Sequence, residues 1–148
     1  MLINSLKAIF NRDLHRLRDE IDTYRSENAL WIVDTGIENS AGNLCLHLIG
    51  NLNTYIGKEI GNVDYVRNRA LEFSLKDIPK SELLRQLDET ISIVNTSLDK
   101  LTEEDLTSDF PVLVFEEKMS IGYFLLHLTT HLSYHVGQIN YHRRLLDK

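Results

Sequence analysis

The stretch LLHLTTHLSYHVGQ, residues 125–138, carries His127, His131 and His135 at intervals of four. On an α-helix such residues share a face. A neutral imidazole offers a nitrogen lone pair, and two rings one helical turn apart can chelate a single cation. All three cannot act together. With a rise of ~1.5 Å per residue, His127 and His135 lie about 12 Å apart along the axis, whereas zinc sits only ~2.0–2.1 Å from each ligating nitrogen. One ion therefore takes two neighbours of the trio, and a further ligand must come from another segment.

At about 100° per residue, Ile121, Leu128, Leu132, Ile139 and Leu146 set the apolar centre of this helix. His135 falls nearest that centre, His131 at its margin and His127 further out. The wheel thus points to His131 and His135 as an inward-facing pair. Gln138, one turn beyond His135, returns close to the His131 azimuth. For a third ligand the best candidate is His47, flanked by Leu44 and Leu48 on an earlier apolar stripe. His15, among charged residues, reads as exposed, and His142 lies about two turns beyond His135. Three imidazoles leave a divalent ion its charge and an open position, which suits catalysis rather than a closed structural site. Such a site lowers the pKa of bound water or holds a thiolate. The plainer alternative is that these histidines are hydrogen-bonded residues of a packed face.

Other residues read as follows. Asn51, one turn after His47, orients a ligand or bonds local backbone. Cys45 lies on the far side of its helix from His47 and reads as a small buried hydrophobe. Trp31 reads as a loop plug rather than a substrate platform. Arg69 and Glu72, around EFS, read as solvated. Tyr123, Tyr134 and Tyr141 form a separate aromatic side suited to helix or subunit packing.

Four segments of helical period must position these groups. The first holds Leu6, Phe10, Leu14, Leu17, Ile21 and Tyr24, with Arg12, Arg16, Arg18, Asp19 and Glu20 on its reverse face. The second opens after GIENS, with Asn39 or Ser40 as cap, and carries Ala41, Leu44, Leu48, Leu52 and Tyr55 before GKEIGN ends it. The third follows KDIPKSE, with Pro79 in its first turn, and its seam is Leu84, Leu87, Ile91, Val94, Leu98 and Leu101. The fourth runs from near Ser120 towards Leu146. The long connections are 25–38, 58–78, where ALEFSL alternates like a short strand, and 102–118, where FPVLVFEE reads as extended. Structureless loops of this length are uncommon unless functional. They are expected over one end of an all-α, antiparallel four-helix bundle formed by a single domain spanning 1–148. LCLHLIGNLNTYIG (44–57) weakly echoes FLLHLTTHLSYHVG (124–137), setting His47 opposite His127, Asn51 opposite His131 and Tyr55 opposite His135.

Composition narrows the partners. The net charge is −6, with 16 Lys+Arg against 22 Asp+Glu, which argues against a general nucleic-acid binder. One cysteine excludes an intrachain disulfide framework and fits a reducing compartment. There is no apolar run of the ~18 residues that spanning a bilayer needs, and no signal-peptide pattern, so a cytoplasmic protein is expected.

These motifs resemble those of the DinB-like (YfiT-like) superfamily of metal-binding four-helix proteins, over nearly the whole chain. NSAGNLCLHLIGNL resembles its second-helix motif with one ligand histidine, and HLTTHLSYHVGQI its last-helix signature, two histidines four apart with x-Gly-Gln after the second. EFSLKDIPKSELL resembles the lead into its third helix. The resemblance implies His47, His131 and His135 as the ligands of one divalent ion, zinc or nickel, in an up-down-down-up bundle that often forms homodimers. It also implies a small-molecule substrate. Characterised relatives are S-transferases that use bacillithiol, mycothiol or glutathione, and a thiol-dependent isomerase; many others have no known reaction. Asn51, Gln138 and His127 are then the neighbours that could orient the ligand rings. Three functions stay open: a metal-dependent S-transferase with a thiol co-substrate, a metal-dependent hydrolase, and a non-catalytic stress-response bundle. The hydrolase is weakened by the lack of a His-Glu-x-x-His motif and of a carboxylate on the His131/His135 face.

Overall fold

A computed structural model describes residues 1–148 throughout. The chain is all-α, with five α-helices and no strand. α1 spans Leu2–Thr23 and buries Ile3, Leu6, Phe10, Leu14, Leu17 and Ile21 at the steps of three and four that the sequence shows. The Glu103 carboxylate accepts hydrogen bonds from the Leu2 and Ile3 amides, satisfying donors that a helix start leaves free.

α2 spans Ala41–Leu52, and all of its residues are buried. Ser40 caps it, its hydroxyl accepting from the Asn43 amide at 3.1 Å. Beyond Leu52 the helix widens into π-type turns over Asn53–Lys58. α4 spans Lys80–Leu98, directly after Pro79. Its seam is buried at Leu83, Leu87, Ile91, Val94 and Leu98, while the expected Leu84 and Leu101 are only partly buried. α5 spans Ile121–Leu146, with the Ser120 hydroxyl accepting from the Tyr123 amide.

The four long helices pack in a fixed pattern. α1 lies against α4 and α5, and α2 lies against the same two. The first end of α1 meets Glu103, just past α4, and its last end meets the last end of α5. There the Asp147 carboxylate accepts from the Arg25 and Ser26 amides. Tyr123, Tyr134 and Tyr141 stay exposed along α5. No helix is long and apolar enough to cross a membrane.

The connections differ from expectation in two ways. ALEFSL is not a strand: Arg69–Ser74 forms a short helix, α3, with the Asn68 side chain accepting from the Leu71 amide. The buried Asn43 amide group donates to the carbonyls of Glu72 and Leu75, which fastens the end of α3 to α2. Local alternation would have put Leu71 and Phe73 inward; the tertiary bonds from Asn43 instead turn Glu72 in. FPVLVFEE likewise forms no strand, the only pairing there being an isolated bridge between Asp109 and Ser120. Nor do the loops gather at one end. The 25–38 segment, with a 3-10 turn at Glu27–Trp31, sits by the last turns of α5, whereas 102–118 leads into its first turn. Trp31 does plug its loop: its ring packs so closely on Gly42 that a Cβ there would fall 2.6 Å from it.

The 25–38 segment is held by His142, which is 4% exposed. Its Nε2–H donates to the Ile32 carbonyl, so Nδ1 accepts from the Tyr24 hydroxyl at 2.7 Å. Burial pushes the His142 pKa below the usual histidine value, partly offset by the Ile32 carbonyl. The unfolded chain titrates near ~6.5. Below that value the unfolded state takes up a proton that the folded state resists, so stability falls as pH drops towards the folded pKa. In metal-free protein, His142→Gln is expected to flatten the loss of unfolding free energy between about pH 7 and about pH 5. Equal slopes for variant and parent in urea titrations would remove His142 from that dependence.

Candidate metal centre

His47, His131 and His135 converge. Each brings one ring nitrogen to a common point, all within 4.8 Å of one another. The Nε2 of His131 lies 3.2 Å from the Nε2 of His47 and 3.2 Å from that of His135. A tetrahedral ion with bonds of ~2.0–2.1 Å sets its ligand nitrogens about 3.3 Å apart. The three residues could therefore hold a metal ion.

Protonation points the same way. The His47 Nδ1–H donates to Glu72 Oε1 at 3.1 Å, and the His135 Nδ1–H to Gln138 Oε1 at 2.7 Å. A carboxylate and an amide oxygen only accept, so both rings carry their proton on Nδ1 and aim the Nε2 lone pair at the shared point. Burial lowers the His47 and His135 pKa values, against the raising effect of Glu72 on His47 and of Gln138 on His135. For His131, burial and then the neighbouring His135, His47, His127 and Arg67 push the pKa down to about 4. All three rings are thus neutral near neutral pH. The His131 Nδ1 is buried without a partner. Three abutting basic nitrogens, two with fixed tautomers, form a poor packing surface and a good cation cradle.

Glu72 is the residue that sequence reading placed wrongly. It is 6% exposed rather than solvated. Arg67 grips it with two bonds, Nε to Oε2 at 2.8 Å and a terminal nitrogen to Oε1 at 2.9 Å. The Arg67 guanidinium holds the Glu72 carboxylate in place, and the carboxylate in turn fixes the His47 ring. Gly50 makes room for it, since a side chain there would collide with the Glu72 carboxylate. A glycine one turn past His47 on an otherwise fully buried helix was the available signal.

The remaining candidates divide. Gln138 bonds the His135 ring. Asn51 makes no hydrogen bond to a ligand ring, and its buried Oδ1 has no partner. His127 does not join the trio; it stacks on Phe124 and meets the edge of Phe115. His15 is exposed and bonded to the Asn11 carbonyl, and His142 serves the 25–38 segment. Cys45 is buried, and burial raises its thiol pKa far out of reactive range.

Beside the trio lies a cleft of about 280 Å³. Its floor is His47, His131 and Asn51; Arg67 and Arg69 come from 58–78, and Val114 and Phe115 from 102–118. No carboxylate lines it. The 25–38 segment lines a different cavity, with Gln138 and His142. Two of the three long connections therefore flank the histidine cleft, not all three. No curated protein and no solved structure matches the chain. From residue 2 to residue 148 it matches one family model, and the chain belongs to that family, described as protein of unknown function (DUF1572).

Proposed function

We propose that this protein is a metal-dependent S-transferase in which His47, His131 and His135 hold one divalent ion and a small thiol is activated for attack on an electrophile. The observation that carries it is the convergence of three ring nitrogens, with His131 Nε2 3.2 Å from the Nε2 of both His47 and His135, beside an arginine-lined cleft. The ion, when bound, supplies a Lewis acid that lowers the pKa of the thiol. The chain supplies the rest. Glu72 and Gln138 lock two rings in the ligating tautomer, and Arg67 holds the Glu72 carboxylate in position. Phe115, Phe124 and Leu128 form the apolar part of the cleft wall.

A hydrolase reading has less support. Water needs a general base far more than a thiol does. The one buried carboxylate near the trio, Glu72, is engaged by His47 and Arg67, and the cleft walls hold no other acid. The DinB-like resemblance supports the same ligands and an up-down-down-up four-helix bundle. The ends at which α1 meets α4 and α5 agree with that order. A homodimer through the exposed tyrosine side of α5 belongs to the same reading.

The test incubates zinc- or nickel-loaded protein with a panel of low-molecular-weight thiols and a chromogenic electrophile. A metal-dependent rate, lost in His135→Ala, is expected. Ester or amide cleavage without thiol would replace the transferase with the hydrolase, and no rate with any thiol would defeat catalysis by this route.

A further inference from the structure

Of the six tyrosines in the chain, Tyr55 is the one that lines the histidine cleft. It stands two turns after His47, where the helix widens into π-type turns at Asn53–Lys58. At about 100° per residue, a regular helix would turn Tyr55 roughly 80° away from His47. A π-type turn holds more residues, so each rotates less and Tyr55 comes back towards the His47 side; such turns recur at functional sites. The half-buried ring is held in place. Phe124 meets it edge-on at 5.2 Å, Phe110 at 6.4 Å, and the Arg67 guanidinium lies 5.9 Å from its centre. The Tyr24 hydroxyl is buried and bonded to His142. The Tyr55 hydroxyl, by contrast, bonds no protein group and is accessible to solvent. Phe124 and Arg67, on either side of it, line the same cleft, so the cleft is what it opens onto. The other walls offer little that could protonate an occupant. They hold no carboxylate, the arginines keep their protons, and His47 and His131 are proposed ligands. The His127 ring is stacked on Phe124 and met by the edge of Phe115.

We infer that Tyr55 is a catalytic proton donor, and that the electrophile of this cleft is one whose oxygen becomes anionic on attack, an epoxide. The inference rests on the reading of the cleft as a thiol-transfer site, but Tyr55 is not a proposed ligand of the ion. The thiolate sulfur forms a bond to one epoxide carbon. The carbon–oxygen bond breaks with its electron pair left on oxygen, and that oxygen takes the Tyr55 proton. Water, which received the proton that the thiol gave up, reprotonates the phenolate. A positioned donor matters here because an alkoxide is a poor leaving group until it is protonated. Chloride leaves as a stable anion and needs no donor. The carbon part of the molecule rests on Phe115, Phe124 and Leu128. At about 280 Å³ the cleft falls just below the ~300–1,000 Å³ of drug-sized pockets, so the electrophile is small.

The test compares styrene oxide with benzyl chloride as electrophiles for zinc-loaded protein and the thiol panel, with thioether formation as the readout. Tyr55→Phe is expected to slow transfer to styrene oxide about a hundredfold or more, the scale of a lost general acid. Transfer to benzyl chloride, zinc content and melting temperature should stay close to the parent, because the variant keeps the ring and loses a hydroxyl that bonds nothing in the protein. A second arm needs no activity. In zinc-free protein, methyl phenyl sulfoxide, a neutral hydrogen-bond acceptor, is compared by calorimetry with methyl phenyl sulfide, which lacks the oxygen. The parent should favour the sulfoxide by about fivefold, the worth of one hydrogen bond, and Tyr55→Phe should erase that preference. Equal loss on both electrophiles, an undiminished styrene oxide rate, or a sulfoxide preference that is absent from the parent or survives Tyr55→Phe would each overturn the inference and leave the transfer reading standing. So would a loss confined to His127→Gln, which would move the role to that ring. No rate with any thiol would bring down the transfer reading and proton delivery together.

Discussion

His131→Ala is expected to abolish stoichiometric binding of a divalent ion, with affinity falling by more than about a hundredfold, beyond the 10–100-fold typical of changes to groups behind a ligand. His131 is the vertex of the trio: its Nε2 alone lies 3.2 Å from both of the others. Without it, His47 and His135 remain as two rings on different helices. His135→Ala should have the same effect, and His127→Ala almost none, because the His127 ring stacks on Phe124 and stays out of the cluster. The measurement is elemental analysis of untagged protein together with zinc titration of chelator-stripped samples. Thermal melts provide an independent reading. An ion that binds only the folded state raises the parent melting temperature in proportion to the logarithm of its concentration, and His131→Ala should lose that dependence. In chelator the variant should melt close to the parent, since the change removes a ring whose Nδ1 was buried without a partner. An equal loss of zinc in His127→Ala would overturn the ligand assignment.

Glu72→Ala is expected to strike both stability and affinity. It leaves the Arg67 guanidinium, 15% exposed, beside a vacated carboxylate site, and breaking a buried ion pair from one side typically costs ~3–5 kcal/mol. It also frees the His47 ring, for which a 10–100-fold drop in metal affinity is the usual consequence. Gly50→Ala supplies a control that leaves every charged group in place. In the middle of a helix, glycine to alanine ordinarily stabilises by ~0.5–1 kcal/mol. Here the new methyl would collide with the Glu72 carboxylate. The variant is therefore expected to be destabilised and to bind zinc more weakly, reproducing part of the Glu72→Ala phenotype. A more stable Gly50→Ala protein with parental zinc affinity would show that the Glu72 contact does not govern the site.

The histidine pair on α5 was legible because the helical period alone sets which of three equally spaced residues face inward. His47 needed more than spacing: its apolar flanks made it a candidate, and the DinB-like motif selected it. A cap at Asn39 or Ser40 followed from local chemistry, and Ser40 is the one observed. Glu72 was not legible for a physical reason. It belongs to a six-residue helix whose position is set by Asn43, 29 residues away, and not by its own neighbours. Its charge argued for solvent until Arg67, five residues earlier, was folded back onto it. The same dependence on distant contacts explains why ALEFSL read as a strand. The unpartnered Asn51 oxygen could not be seen in the sequence at all, because being unpartnered is a property of everything packed around it.

The wholly buried α2 has a mechanical consequence. His47 cannot shift unless a core helix shifts, so the 3.2 Å gap to His131 measures the docking of α2 against α5. A bond through that gap would tie together residues 84 positions apart. Closing so long a loop withdraws conformational freedom chiefly from the unfolded chain, as a disulfide does in the chain-entropy account. In a protein whose one cysteine is buried and alone, a metal ion held by the histidine cluster would act as a reversible staple, fastened and released by the supply of metal rather than by redox state.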